Sequence, residues 1–168
     1  MTIRFGILTL SDRSARGERP DSSGPALRRL IEAEGWSVVK QGILPDDESA
    51  IRDLLAAWAE NGELDILLTT GGTGFSRRDV TPEATRAVIE REAPGLAEAM
   101  RTASLKITPH AMLSRIVTGI RRRTLIINLP GSPKGAVENL QTVMPVLPHA
   151  VQLLRDDPAS ESTHPKAA

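Results

Sequence analysis

Apolar residues recur along this chain in two patterns, and segments of the two kinds alternate almost to the carboxyl terminus. Short apolar runs predict strands at residues 3–10, 37–44, 64–70, 116–120 and 124–129. Apolar residues spaced three or four apart predict helices at residues 23–34, 46–60, 82–91, 96–105 and 134–154, the last interrupted near Pro145 and Pro148. Strands that alternate with helices in this way favour a sheet with helices on both faces.

Two local features refine the predicted sheet. Residues 64–70 form an uninterrupted apolar run, which is typical of a strand buried on both faces of a parallel sheet. Only Arg121, Arg122 and Arg123 separate the last two strands, a spacing that predicts a hairpin with an exposed turn. We therefore predict an α/β fold, a three-layer α/β/α arrangement whose mostly parallel sheet contains one antiparallel strand.

Composition narrows the class of protein. The 168 residues are 40% hydrophobic, enough for a single domain over residues 1–155. Residues 156–168 lack apolar periodicity and predict a flexible tail. Zero net charge and 2% aromatic residues argue against a nucleic-acid partner, and the absence of cysteine excludes disulfides and thiolate chemistry. The amino-terminal apolar run contains Arg4 and is too short for a signal or membrane span, so we expect a cytoplasmic protein with no membrane partner.

The most informative pattern is a glycine- and threonine-rich segment after the third predicted strand. Three glycines within residues 71–74 permit positive φ angles and allow a ligand to approach the backbone N–H groups. Thr81 is expected to cap the next helix, with Pro82 in its first turn, so that the helix amino terminus points at the same loop. The segment matches neither a P-loop nor a dinucleotide-binding loop, and by itself it is equally typical of a turn without a ligand.

Polar residues follow the other predicted strands as well. Ser11 and Asp12 follow the first strand, Asp46 follows the second, and Asp79 lies beyond the glycine-rich segment. Residues 128–134 end and follow the last strand. Because the carboxyl ends of parallel strands share one edge of a sheet, we expect these residues to meet in one crevice. Asp46 and Asp79 would then face one another, and two carboxylates are the usual protein share of a site for Mg²⁺ bound to nucleotide phosphates.

Structural roles remain open for many of these side chains. Asp46 and Ser132 precede predicted helices and could be N-caps, and Asp79 could close an Asx-turn. Ser104 and Ser114 carry no pattern of their own that favours a site. No metal-ligand spacing connects the histidines, which are His110, His149 and His164.

A series of motifs covers nearly the whole chain up to about residue 155. In order, they are Ser11-Asp12-Arg13, Asp21-Ser22-Ser23-Gly24-Pro25, Leu44-Pro45-Asp46, Thr70-Gly71-Gly72-Thr73-Gly74, Arg78-Asp79-Val80-Thr81-Pro82-Glu83, Ser104-Leu105-Lys106-Ile107-Thr108-Pro109, Ala111-Met112-Leu113-Ser114-Arg115 and Ile127-Asn128-Leu129-Pro130-Gly131. Together they resemble the molybdenum-cofactor biosynthesis family that includes bacterial molybdopterin adenylyltransferase and the G domains of gephyrin and its plant counterpart. Family members differ around Ser132 and Lys134, so a ligand contact at these two positions is left open.

The resemblance implies a reaction and a set of site residues. The reaction is transfer of AMP from Mg-ATP to the terminal phosphate of molybdopterin, with release of pyrophosphate. Asp46 and Asp79 would be catalytic and act through Mg²⁺, Thr73 and the glycine amides would hold ATP phosphate, and the pterin or its phosphate would contact Ser104, Ser114 and Asn128. The full set of implied substrate-binding residues is Ser11, Asp12, Thr70, Gly71, Gly72, Thr73, Gly74, Ser104, Ser114, Asn128, Pro130, Gly131 and Ser132.

The resemblance also carries expectations about partners. It implies a homotrimer, with the hairpin at residues 116–129 or the helix at residues 94–106 as candidate contacts, and a transient contact with a molybdate-inserting enzyme. The alternative is a module of the same fold that binds molybdopterin without turning it over. Such a module would not need both metal-binding carboxylates, and both are present here.

Overall fold

The computed structural model describes residues 1–158. Its strands are β1 (Arg4–Leu10), β2 (Ser37–Leu44), β3 (Ile66–Thr70), β4 (Arg91–Glu92), β5 (Thr118–Arg121) and β6 (Thr124–Leu129). Its α-helices are α1 (Asp12–Ala15), α2 (Ser23–Ala33), α3 (Glu48–Glu60), α4 (Thr81–Arg86), α5 (Pro94–Leu105), α6 (Pro133–Val143) and α7 (Leu147–Leu154). Two 3-10 helices cover Pro109–Leu113 and Met144–Val146.

The strands form one sheet in the order β2-β1-β3-β6-β5-β4. Neighbours from β2 to β6 run parallel, whereas β5 is antiparallel to both β6 and β4. The predicted hairpin is therefore the β5–β6 pair, and β5 is the antiparallel strand that the pattern indicated. The turn between them contains Arg122, whose φ of 53° lies in the left-handed region.

Two apolar clusters on opposite faces of the sheet make up the core. One cluster contains Phe5, Ile7 and Leu68 and is covered by residues of α2, α5, α6 and α7. The other contains Leu8 and Leu67 and is covered by residues of α3 and α4. Successive residues of β1 and β3 belong to opposite clusters, as strand geometry requires. This arrangement confirms the three-layer α/β/α prediction.

Several element boundaries differ from the predictions, and α4, β4 and the start of α3 are the clearest cases. The helix expected to reach residue 91 ends at Arg86, and β4 follows it as a two-residue edge strand with both residues exposed. A strand of two residues is too short to show the alternation of apolar and polar residues by which strands are predicted. The helix expected from residue 46 begins at Glu48. The predicted interruption of the last helical region is confirmed, because α6 ends at Val143 and α7 begins at Leu147.

Residues 159–168, which contain most of the predicted tail and His164, lie outside the described residues. Between residues 1 and 158, no helix is both long enough and apolar enough to cross a membrane.

Candidate functional site

A crevice lies where the sheet's parallel strands end. Residues that end or follow β1, β3 and β6, together with the loops before α2 and α3, enclose a cavity of about 640 Å³. A second cavity of about 280 Å³ lies on the other side of the glycine-rich loop. We call them the first and second cavities. Ser132 lines both of them.

The glycine-rich loop has the backbone conformation that its sequence predicts. Gly71 and Gly72 have φ angles of 107° and 64°, and a Cβ on Gly71 would lie 2.3 Å from the carbonyl oxygen of Leu10. Thr81 is not the N-cap that we expected; it is the first residue of α4. Its hydroxyl donates to the Gly71 carbonyl at 2.9 Å, and its N–H donates to the Gly72 carbonyl at 3.1 Å. Thr81 therefore fixes the loop against the helix.

Asp46 does not cap α3, because its neighbour does. Asp47 is the N-cap of α3, and its carboxylate accepts a hydrogen bond from the N–H of Ala50 at 2.8 Å. Asp46 instead lines the first cavity and exchanges 3.1 Å bonds with Asp12, each carboxylate accepting from the other's backbone N–H. Oδ1 of Asp46 is buried and accepts no hydrogen bond from any described residue.

The surroundings of Asp46 disfavour its charge. Burial raises the pKa of its carboxyl group, and the nearby negative charges of Asp12 and Asp79 raise it further. A buried carboxylate oxygen without a partner, next to two other carboxylates, is an environment that a cation would stabilise. No group of three or more His, Cys, Asp or Glu side chains within residues 1–158 could hold a metal by itself. Any ion here would therefore need further ligands, such as phosphate oxygens and water.

Asp12 is engaged in structural contacts. Both of its carboxylate oxygens accept hydrogen bonds from Arg78, at 2.9 and 2.7 Å, and this contact lowers the pKa of the carboxyl group. The pair joins the loop after β1 to the loop that carries Asp79. Asp12 lines neither cavity, and its contact with substrate stays a prediction.

Asp79 lines the first cavity, and its loop is held in place by Arg115. The Asp79 carboxylate accepts a 2.9 Å hydrogen bond from the N–H of Ser76, so it organises its own loop as well. The Arg115 guanidinium donates to the carbonyls of Gly74 at 2.8 Å and Asp79 at 2.6 Å, and it forms an ion pair with Glu83. Arg115 thus binds both ends of the segment that presents Asp79.

The second cavity contains Ser104 and Ser114, the residues for which the sequence offered no pattern of their own. The hydroxyl of Ser104 accepts a 3.1 Å hydrogen bond from the side-chain amide of Asn139, and the carbonyl of Ser114 accepts one from Arg101 at 3.3 Å. Thr73 also lies here, although we expected it on the ATP side. The loop therefore divides, with Gly71 and Gly72 lining the first cavity and Thr73 and Gly74 lining the second.

Asn128 lines neither cavity in the described structure, and its contact with the pterin stays a prediction. It is completely buried inside the sheet. Its side-chain amide donates to the hydroxyls of Thr69 and Thr85, both at 2.9 Å, and its side-chain oxygen accepts from the N–H of Val117 at 3.1 Å. These bonds connect β6 to β3, to α4 and to the segment before β5. Asn128 is a structural residue.

The loop after β6 joins the two cavities. Pro130 lines the second cavity, Gly131 lines the first, and the Pro130 carbonyl accepts a 2.7 Å hydrogen bond from the hydroxyl of Thr70. Ser132 is the N-cap of α6, and its hydroxyl accepts from the N–H of Gly135 at 3.1 Å. Ser132 therefore caps a helix and also lines the crevice, and its contact with a ligand stays a prediction. Lys134 lies near Glu138 on the outside and lines neither cavity.

Several lining residues were missed by sequence reasoning. The segment before α2 closes one side of the first cavity with Arg19, Asp21 and Ser22, while Arg101 and Asn139 line the second. The motif at residues 21–25 could have indicated the lining residues of the segment before α2. Arg101 and Asn139 lie on amphipathic helices, where a polar residue next to a cavity has the same pattern as one facing solvent.

The fold and the crevice define an open α/β protein whose ligand site lies beyond the carboxyl ends of its strands. The sequence profile described as "Probable molybdopterin binding domain" matches residues 6–149. The chain belongs to this family.

Individual relatives agree with the assignment. The chain is 48% identical over 157 residues to "Molybdenum cofactor synthesis protein cinnamon" of Drosophila melanogaster, a match that covers 93% of this chain and 26% of that protein. It is 41% identical to "Molybdopterin adenylyltransferase" of Helicobacter pylori strain J99, covering 91% of this chain and 88% of that one. The chain also resembles the crystal structure of the molybdopterin biosynthesis enzyme MoaB from Thermus thermophilus, with 51% sequence identity and a TM-score of 0.87. This match covers 94% of this chain and 99% of the MoaB chain. The chain spans 26% and 23% of the first two curated relatives, so it corresponds to one part of each.

Proposed function

We propose that this chain is a molybdopterin adenylyltransferase, with ATP in the first cavity and molybdopterin in the second. The observation that carries the proposal is the pair of cavities that meet at Ser132, one containing the unpartnered carboxylate oxygen of Asp46 and the other rich in hydroxyl groups. A reaction between two bound phosphates needs two adjoining sites of this kind. The names of the relatives support the same activity.

The proposed step is a phosphate attack on a phosphate. An oxygen of the terminal phosphate of molybdopterin forms a bond to the α-phosphorus of ATP. The bond from that phosphorus to the oxygen bridging the α- and β-phosphates breaks, and pyrophosphate leaves with the electron pair. The attacking group is already an anion, so no side chain has to serve as nucleophile, which is consistent with a chain without cysteine. The protein's task is to align the two groups and offset their repulsion.

The residues of the first cavity fit a bound Mg²⁺. We infer that Asp46 and Asp79 hold it, because the buried oxygen of Asp46 needs a cationic partner and both carboxylates face the same cavity. A bound Mg²⁺ would offset charge on the ATP phosphates. The backbone of Gly71 and Gly72 can approach a phosphate closely, and Arg115 and Thr81 keep this loop and Asp79 in position.

Assembly and location also belong to the proposal. We infer a homotrimer with contacts through the hairpin at residues 116–129 or through residues 94–106, a cytoplasmic location, and a transient contact with a molybdate-inserting enzyme that receives the product. The trimer and the contact with the inserting enzyme come from the family resemblance, and the location comes from the short amino-terminal apolar run.

Pyrophosphate release tests the proposal directly. The full chain is incubated with ATP and Mg²⁺, with and without molybdopterin, and pyrophosphate is measured. We expect release that requires molybdopterin, together with adenylyl-molybdopterin as product. Binding of molybdopterin without pyrophosphate release would overturn the enzyme proposal in favour of a binding module.

A variant of Asp79 tests the assignment of Mg²⁺ in the same assay. Asp79→Asn should lower turnover by a factor on the order of one hundred or more, because a neutral amide holds a divalent cation poorly. The matched control is Asp53→Asn, which changes an exposed carboxylate on α3 far from either cavity lining. Full activity of Asp79→Asn, or full activity of the unmodified chain in EDTA, would contradict the assignment.

A further inference from the structure

Arg101 differs from the other partly buried arginines. Within residues 1–158, five of them form ion pairs with a carboxylate; they are Arg4, Arg28, Arg115, Arg121 and Arg155. Arg101 is also partly buried, yet no carboxylate of the described chain lies within ion-pair distance of it. Removing a charge from water without a partner costs free energy, so such a cation indicates that its partner comes from outside the chain.

The position of Arg101 shows where that partner would bind. The residue lies on α5, one turn before Ser104, and lines the second cavity. It also borders a smaller cavity of about 150 Å³, whose lining includes Glu92 and Glu98, and neither of these carboxylates forms an ion pair with it. Its Nε donates to the carbonyl of Ser114 at 3.3 Å, and the two terminal nitrogens make no hydrogen bond with the described residues. One donor therefore anchors the guanidinium to the cavity wall, while four remain available in the planar arrangement that suits an oxyanion.

The rest of the cavity supports an oxyanion over an uncharged group. Hydroxyl-bearing residues line the same cavity as Arg101, namely Thr73, Ser104, Thr108, Ser114 and Ser132. The one carboxylate in the lining, Glu138, lies within 3.8 Å of Lys134, which offsets its charge. Phosphate binds readily to such a combination of a guanidinium and hydroxyl groups.

We propose that Arg101 binds the terminal phosphate of molybdopterin in the second cavity. This inference rests on the proposed function for the identity of the ligand, and it goes beyond that function by assigning the residue that recognises the attacking group. Arg101 then has a double role. It orders the phosphate, and it offsets part of the repulsion when that phosphate approaches ATP.

The test measures binding, so it does not depend on turnover. Molybdopterin and dephospho-molybdopterin are titrated by calorimetry into the full chain and into Arg101→Gln, Arg101→Lys and the control Arg86→Gln. Arg86 is exposed and lies outside the second cavity. We expect Arg101→Gln to weaken molybdopterin binding by about tenfold or more, because a hydrogen bond to a charged group is lost. Arg101→Lys should recover part of this loss, since it keeps the charge without the planar geometry.

The dephosphorylated ligand separates recognition from structural support. If Arg101 binds the phosphate, the Gln substitution should leave the affinity for dephospho-molybdopterin nearly unchanged. An equal loss for both ligands would mean that Arg101 only supports the cavity wall through Ser114, and unchanged affinity for molybdopterin would also overturn the inference. Failure of the proposed function gives a different result, in which the unmodified chain binds molybdopterin but releases no pyrophosphate.

Discussion

Replacing Asp46 with asparagine should make the protein more stable and inactive. Oδ2 of Asp46 accepts from the N–H of Asp12, a bond that the asparagine oxygen can keep. The buried Oδ1 has no partner in the described chain. The pKa of the Asp46 carboxyl group is raised mainly by burial and further by the nearby charges of Asp12 and Asp79. An asparagine side chain there removes one negative charge from the neighbourhood of Asp12 and Asp79.

The expected stabilisation follows from the cost of that unpartnered oxygen. A buried acceptor without a hydrogen bond costs about 1–3 kcal/mol. Asp46 is only partly buried, so we take the low end and expect about 1 kcal/mol in the free energy of unfolding. For a domain of this size this corresponds to a rise in Tm of about 2–4 °C. The sign is consistent, since a carboxylate whose pKa is raised on folding destabilises the folded state once it is charged.

The assay combines thermal unfolding without divalent metal and pyrophosphate release. Asp46→Asn should unfold at the higher temperature and lose on the order of one hundredfold or more in turnover. Asp47→Ala is the matched control from the adjacent position. It removes the N-cap of α3, so it should lower stability by about 0.5–2 kcal/mol and keep its activity. A less stable Asp46→Asn protein, or one with normal turnover, would refute the reasoning.

Three further predictions concern other parts of the molecule. Burial alone would raise the pKa of Asp65, but hydrogen bonds from Arg4 and Arg155 outweigh burial and lower it. The charged Asp65 carboxylate therefore stabilises the fold at pH values above its unfolded-state pKa. This stabilisation is lost as the pH falls through the pKa of the folded state. Asp65→Asn should lower the free energy of unfolding, measured with denaturant at pH 7, by about 3–5 kcal/mol, and it should make stability depend less on pH in the acidic range. A decrease below about 1 kcal/mol would contradict this prediction. Arg115→Lys should lower kcat by about 10–100-fold and raise the Mg²⁺ concentration needed for half-maximal rate, because the substitution loosens Asp79. The affinity for molybdopterin should not change. An unchanged Mg²⁺ requirement in titrations would argue against this prediction. Light scattering at micromolar concentration should give the mass of three chains, and the mass of one chain would exclude the trimer.

The fold could be predicted from the sequence because most of its elements repeat a clear period. The five long strands and the interruption near Pro145 follow from apolar spacing and from proline geometry. β4 could not be predicted, since its two residues are exposed and it exists only through pairing with β5, whose residues are about thirty positions away. Strands defined by their neighbours leave no local pattern.

The site was predictable where chemistry and topology agree. Asp46 and Asp79 follow different strands, and the parallel arrangement brings both to the first cavity. Sequence reasoning considered only Asp46 as the N-cap of α3, because it precedes the predicted helix and has the right chemistry. The structure decides for Asp47, since its backbone is extended and its carboxylate reaches the N–H of Ala50.

Asn128 and Asp46 illustrate what sequence reasoning lacks. Both are polar residues near the ends of strands, and the resemblance assigned both to the site. Both N–H groups and the side-chain oxygen of Asn128 are engaged by partners 11 to 59 positions away in the chain. Asp46 retains a buried oxygen with no partner in the described chain. Since proteins rarely leave a buried polar group unpaired without a reason, this difference in hydrogen bonding favours a structural role for Asn128 and the proposed metal contact for Asp46.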